Sequence, residues 1–281
     1  MSTAEKTPAT ATTGSLPNTL RLGLARGGIE LRQFFRERDS VVFTFGLPMF
    51  MLLLLATMFT STTAGTDVTA SQIFTASMIA AGIMSTTLVT LGVGVAMDRE
   101  DGTLKRLMGL PTPKAAYFIG KIVLVFVASV AEVVLLLALG VVLYDVSLPS
   151  AASDWFTFGW VFVLGVIGSA LLGIAISSLP RSGRSASAVI LLPFIALQMI
   201  SGVLFNPIRD MPSPLVEIGS VFPLKWMAQG FRSVFLPDSM VSQEVAGAWE
   251  LERVALMLGV WCVAGVVLCL LTFRWQRRRD G

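Results

Sequence analysis

Histidine is absent from the 281 residues. That excludes histidine-centred catalytic triads, the common histidine metal sites and histidine proton relays. Charge is scarce as well: 14% of the residues are Asp, Glu, Lys or Arg, against about 25% in an ordinary soluble domain. Since 54% are hydrophobic and the mean hydropathy is +0.76, too few polar side chains remain to cover a water-facing surface. Disorder, collagen-like repeats, a disulfide scaffold and a soluble enzyme are thereby excluded. The two cysteines, Cys262 and Cys269, are seven apart in one apolar run. On a helix that is about 10.5 Å of axis, beyond the ~7 Å Cα separation a disulfide tolerates. They read as small apolar side chains in a core or facing lipid. No Gly-x-Ser-x-Gly elbow, nucleotide phosphate loop or carboxylate cluster is present.

Long apolar runs are what the chain does contain. A membrane-crossing helix needs about 20 mostly apolar residues. Six runs qualify, near 41–60, 73–97, 122–144, 155–179, 185–208 and 254–273. Seventeen of the 21 Lys and Arg residues fall before the first run, between the second and third, between the fourth and fifth, and after the sixth. Basic residues accumulate on the cytoplasmic side, so both termini are predicted to be cytoplasmic. Residues 1–19 read as a disordered Thr/Ala-rich cytoplasmic tail and 275–281 as a basic one, with a single transmembrane unit over 20–274. The start lacks the plan of a secretory signal. The basic residues are divided among four pieces, which gives no case for nucleic acid binding.

Leu20 to Asp39 has the spacing of an amphipathic helix lying in the membrane interface, with Leu20, Leu24, Leu31, Phe34 and Phe35 on one face. Gly27 and Gly28 weaken its middle. It serves either as an anchor or as a docking surface for a cytoplasmic partner. After the second run, Thr103 can cap a short helix whose positive end faces Asp98, Glu100 and Asp101. Pro111 and Pro113 would stop that helix. Leu104, Leu107 and Met108 give it an apolar stripe, and the whole reads as a rigid lever pressed into a partner. Arg181 and Arg184 mark a tight basic turn. The segment from Asn206 to Glu252 is external and too long for a plain connection. Its apolar patches fit short helices dipping into the outer leaflet, with Trp226 and Trp249 near the headgroups, or else a loosely packed cap.

Glu132 is the one ionisable residue deep in a run, hence either a functional carboxylate or one satisfied inside the bundle. Gly165, Ser169, Gly173 and Ser177 form a small-residue face for close helix packing, within the chain first and between chains second. Pro48 and Pro193 lie inside runs. Phe194, Gln198 and Met199 beside Pro193 suit a lipophilic pocket or simple core packing.

Several stretches together resemble the membrane permease of type-2 ABC exporters, the class that includes drug, polyketide and polysaccharide exporters. They are Arg99-Glu100-Asp101-Gly102-Thr103-Leu104-Lys105-Arg106-Leu107 with Pro111 and Gly120-Lys121, then Ser201-Gly202-Val203-Leu204-Phe205 with Pro207, Phe222-Pro223-Leu224 and Ala228-Gln229-Gly230-Phe231-Arg232. The resemblance covers roughly Leu20 to Arg274 and implies an all-α fold of six spans. It further implies an interfacial connecting helix, a cytoplasmic coupling helix and external re-entrant helices before the last span. Thr103 to Leu110 would be the coupling helix, with Thr103, Leu104, Lys105, Arg106 and Leu107 touching the ATPase. Leu31, Phe35 and Arg38 would belong to the connecting helix. Phe194, Gln198, Met199 and Glu132 would lie on the substrate path. Partners would be two ABC ATPase subunits, which would bind the ATP and Mg²⁺, and a second permease, identical or related, in a plasma membrane. The chain itself would be no enzyme and bind no cofactor. Its cargo would be lipophilic or amphipathic. The competing readings are a proton-coupled transporter built on Glu132 and a membrane scaffold.

Overall fold

The computed structural model describes residues 18–59, 68–109, 113–180, 182–205 and 208–273. The expected polar tail up to residue 17, the basic tail from 274 onward, and Leu110, Pro111, Arg181, Asn206 and Pro207 lie outside these. The described residues are helical, with no β-sheet among them. In order they form α1 (Thr19–Arg36), α2 (Arg38–Met58), α3 (Ala70–Glu100), α4 (Thr103–Met108), α5 (Lys114–Tyr144), α6 (Ala152–Ile176), α7 (Gly183–Ile200), α8 (Ser213–Val221), α9 (Pro223–Phe235) and α10 (Leu251–Thr272). Six of them, α2, α3, α5, α6, α7 and α10, are long and apolar enough to cross a membrane. They match the six runs, five of them starting two or three residues earlier than expected and α5 eight residues earlier.

Local chemistry explains two of those earlier starts. Thr69 and Gln72 close a reciprocal capping box ahead of α3, and Ser182 and Ser185 do the same for α7, satisfying helix N–H groups that have no partner in the first turn. Asn18 accepts from the Leu20 N–H at 3.2 Å, so ordered helix begins inside the stretch expected to be disordered. The fifth run ends as helix at Ile200, eight residues short, and Gly202 follows with φ of +69°.

α3 is the axis of the bundle. It is almost wholly buried, whereas α10 turns most of its apolar surface outward. The main core gathers Met78, Ile79, Ile83 and Met84 of α3 with Leu136 of α5, Val166 of α6 and Phe194 of α7. The small-residue face of α6 packs within the chain: a methyl at Gly173 would come 2.5 Å from the Thr87 carbonyl oxygen of α3. Without a hydrophobic driving force between helices in lipid, such close approach supplies the dispersion contacts that hold spans together.

Two expectations are corrected here. Of the two glycines expected to weaken α1, Gly27 belongs to its packing face, with Gly23, while Gly28 faces open space. Gly23 and Gly27 lie on α5, where a methyl would sit 2.5 Å from Ile119 and 2.7 Å from Val123. Leu20, Leu24 and Phe35 are exposed instead. The external segment is also no loose cap. Trp226, Met227 and Phe231 are buried, α9 wedges against α3 and α6, and the Trp226 indole N–H donates to the Ser220 carbonyl at 2.7 Å. Trp226 is therefore not a headgroup anchor.

Candidate functional site

Charged groups from three helices meet where α3 runs into α4. Lys121 of α5 is buried, with its Nζ 2.7 Å from Glu30 Oε2 of α1 and 2.8 Å from Asp98 Oδ2 of α3. One turn earlier the Tyr117 hydroxyl donates to the same Asp98 oxygen at 2.8 Å. Arg26 pairs with Glu30 at 3.0 Å and lies 4.9 Å from the Tyr117 ring centroid. An ammonium shared by two carboxylates in a buried site is a costly group to break, because either loss leaves a charge uncompensated. The cluster ties α1, α3 and α5 together. It was readable only in part. Gly23, Gly27, Glu30 and Phe34 recur at helical spacing, and so do Tyr117, Lys121, Leu124 and Ala128, but nothing in the sequence says that the two stripes face each other.

Two of the three acidic residues expected to complement α4, Asp98 and Glu100, are used elsewhere. Asp98 is taken by α5. Glu100 accepts from the Gly183 N–H at the start of α7. Between them, the Arg99 guanidinium donates to the Ser177 carbonyl at 2.8 Å and to its hydroxyl at 3.3 Å, at the end of α6. Three consecutive residues thus fasten the end of α3 to three neighbours.

α4 projects from that fastening. Its cap is Gly102, at φ +71°, and Thr103 is the first helical residue instead of the cap. Positive φ is available to glycine at little cost. Lys105 and Arg106 are exposed, and Arg106 donates to the Asp101 carbonyl at 3.2 Å and to Thr103 Oγ1 at 3.3 Å. Leu104 is fully buried with Leu91, Val95 and Tyr117, while Leu107 and Met108 are half-buried. The apolar stripe therefore faces the chain's own core, and the free face of the lever is basic. Beside it a cavity of about 120 Å³ opens between Leu22 and Arg26 of α1, Leu107 of α4 and Tyr117 of α5. Leu31 is half-buried and Phe35 exposed on α1. Arg38 is exposed but opens α2 instead of belonging to α1, because the helix breaks at Glu37.

The residues expected along a path differ in exposure. Phe194 is buried in the main core, Gln198 is half-buried and Met199 is exposed. Glu132 is fully buried on α5, where its Oε2 accepts from the Thr86 hydroxyl of α3.

At the opposite end lies Arg232 of α9, the last residue of the Ala228–Arg232 stretch. It forms a buried pair with Glu244, Nε to Oε1 at 2.6 Å and Nη2 to Oε2 at 3.1 Å. Its Nη1 donates to the Gly202 carbonyl at 3.3 Å and the Ser77 hydroxyl at 3.4 Å. One side chain so links α9, the segment before α10, the turn after α7, and α3. Nearby, Lys225 Nζ lies 3.6 Å from the Trp226 ring centroid. Burial pushes that ammonium down to about 8, against the opposing pull of Glu244 and Glu250.

Residues 57–274 match the model of a family described as ABC-2 family transporter protein. The chain is also similar to a protein of Escherichia coli strain K12 described as a probable multidrug ABC transporter permease, YbhR. The two are 23% identical over 164 residues, which is 58% of this chain and 44% of that relative. The same protein of Escherichia coli O157:H7 matches equally. The matched region thus spans less than half the length of those relatives.

Proposed function

Because the chain belongs to the ABC-2 family of transporter proteins, a family of membrane components without an ATPase domain of their own, we propose that it is the permease of an ATP-driven exporter. Its cargo is a lipophilic or amphipathic molecule of drug, lipid or polyketide type, carried outward across the plasma membrane. Two cytoplasmic ABC ATPase subunits drive it, and a second permease, identical or related, completes the pathway. The basic end of the bundle, with α1 and α4, faces the cytosol.

The observation that carries this reading is the basic, projecting α4 on a firmly fastened stem. Lys105 and Arg106 offer charge to a partner, while Leu104 anchors the helix in the chain's own core. Asp98, Arg99 and Glu100 pass a push on α4 to α5, α6 and α7 together. Lys121 carries the same push to α1. When the partner subunits bind ATP and Mg²⁺ and close, the displacement of α4 would reorient the spans and open the pathway outward. The apolar lining of the spans disfavours a highly charged solute. E. coli YbhR, by its description a probable multidrug ABC transporter permease, supports a cargo of this class.

The decisive experiment is affinity capture of the tagged chain from native membranes under mild crosslinking. An ABC ATPase is expected to come with it, and its absence would overturn the reading. A reporter fused after Thr66 is expected outside and one fused after Arg279 inside. The same side for both would overturn the six-span topology.

A further inference from the structure

Within α3, Ser85–Thr90 is wound as a π-helix. Such segments inside α-helices are rare and are frequent at functional positions. Three neighbouring spans grip hydroxyls of this one. Thr86 donates to Glu132 of α5. The Thr87 hydroxyl donates to Ser169 of α6 at 2.7 Å. Thr90 and Thr44 of α2 share a hydrogen bond at 3.1 Å between their hydroxyl oxygens. Glu132 makes no ion pair among the described residues. Its second oxygen, Oε1, is buried against Gly82 without a hydrogen-bond partner among the described residues, and the Ser129 hydroxyl on the same helix is buried without one among them as well. A buried polar oxygen left unsatisfied is costly. Glu132 is nonetheless held here, and its one hydrogen bond among the described residues reaches the π segment.

We propose that Glu132 is a positioning residue that selects the π register of α3, and through it the rotational setting of the helix that leads into α4. A π turn absorbs one residue more than an α turn. Rewinding it as α-helix turns everything downstream by about 100° and advances it about 1.5 Å. Asp98, Arg99, Glu100 and the basic face of α4 all lie downstream. The contact is a hydrogen bond and not an ion pair, so a glutamine, whose amide oxygen still accepts from Thr86, preserves the register and an alanine does not. This register is a property of the chain alone and stands apart from the ATPase reading. A failure here leaves that reading intact, and the reverse also holds.

The test uses the full chain in lipid nanodiscs, with Cys262 and Cys269 replaced by alanine and with Thr44→Cys and Thr90→Cys introduced. The rate of copper–phenanthroline disulfide formation between 44 and 90 is measured. The pair is expected to close readily in this background and as fast with Glu132→Gln. Glu132→Ala and Thr86→Val should each slow it about fivefold, the worth of one neutral hydrogen bond, and together no more than either alone. Failure of the background pair to close, equal slowing by Glu132→Gln, unchanged rates in the alanine and valine variants, or additive effects would overturn the proposal. Should Glu132→Ala not assemble, Thr86→Val, which removes only a hydroxyl, decides.

Discussion

Replacing Arg232 by leucine tests the account of the external segment most severely. The substitution keeps an apolar body of similar reach but removes a guanidinium that makes two short contacts to Glu244 and two longer ones to Gly202 and Ser77. Both members of the pair are almost fully buried. Glu244 would be left as an uncompensated buried charge, a change that costs about 3–5 kcal/mol when one partner of a buried pair is removed. Replacing both partners by apolar residues of similar volume is often close to neutral. The double variant Arg232→Leu with Glu244→Leu should therefore recover most of the loss, giving a coupling energy of about 3 kcal/mol. Reversible unfolding in bicelles, followed by steric trapping, measures each corner of the cycle. A loss below about 1 kcal/mol in the single variant, the level of an exposed pair, would refute the reasoning. So would a double variant no more stable than the single.

Other outcomes follow from the remaining contacts. Gly27→Leu should destabilise by about 1–3 kcal/mol through overpacking on Val123, whereas Gly28→Ala, with open space around it, should gain up to about 1 kcal/mol of helix propensity; thermal unfolding of the two separates packing from propensity. Charge reversal at Lys105 and Arg106 should abolish ATPase co-purification with the melting temperature unchanged, while Leu104→Asp should lower the melting temperature itself, because Leu104 is core. Lys225 titrates near 8 in the fold and near 10.4 when unfolded. The unfolded chain then binds more protons over that window, and stability should rise as pH increases from about 8 to 10. Lys225→Met should flatten that rise in a pH series of unfolding curves.

The six spans were legible because the requirement for about 20 apolar residues leaves a mark that no tertiary contact can erase. Their beginnings were less so, since the capping residues Thr69 and Ser182 lie outside the apolar runs they start. The basic lever was legible in outline, but its orientation was not. Leu104, Leu107 and Met108 declare an apolar face without saying whether it meets a partner or the chain itself. Gly27 reads as a weak point for a related reason: propensity scores a helix in isolation, and the benefit of a missing side chain appears only when α5 lies against it. Lys121 and Arg232 were counted as orientation charges. Each is in fact a tie between segments far apart in sequence, and pairings such as Glu30 with Lys121 have no local signature. The π segment leaves none either, because the partners of its hydroxyls, Glu132, Ser169 and Thr44, lie on three other helices.

The unequal enclosure of the spans has an evolutionary corollary. Along α10, where most side chains look outward into lipid, one aliphatic residue should serve nearly as well as another, and drift should be rapid. α3 has no such latitude: almost every position meets another helix, so a change of one methylene must be answered elsewhere. Divergent members of this lineage should therefore disagree most along their last helix and least along the one at the centre.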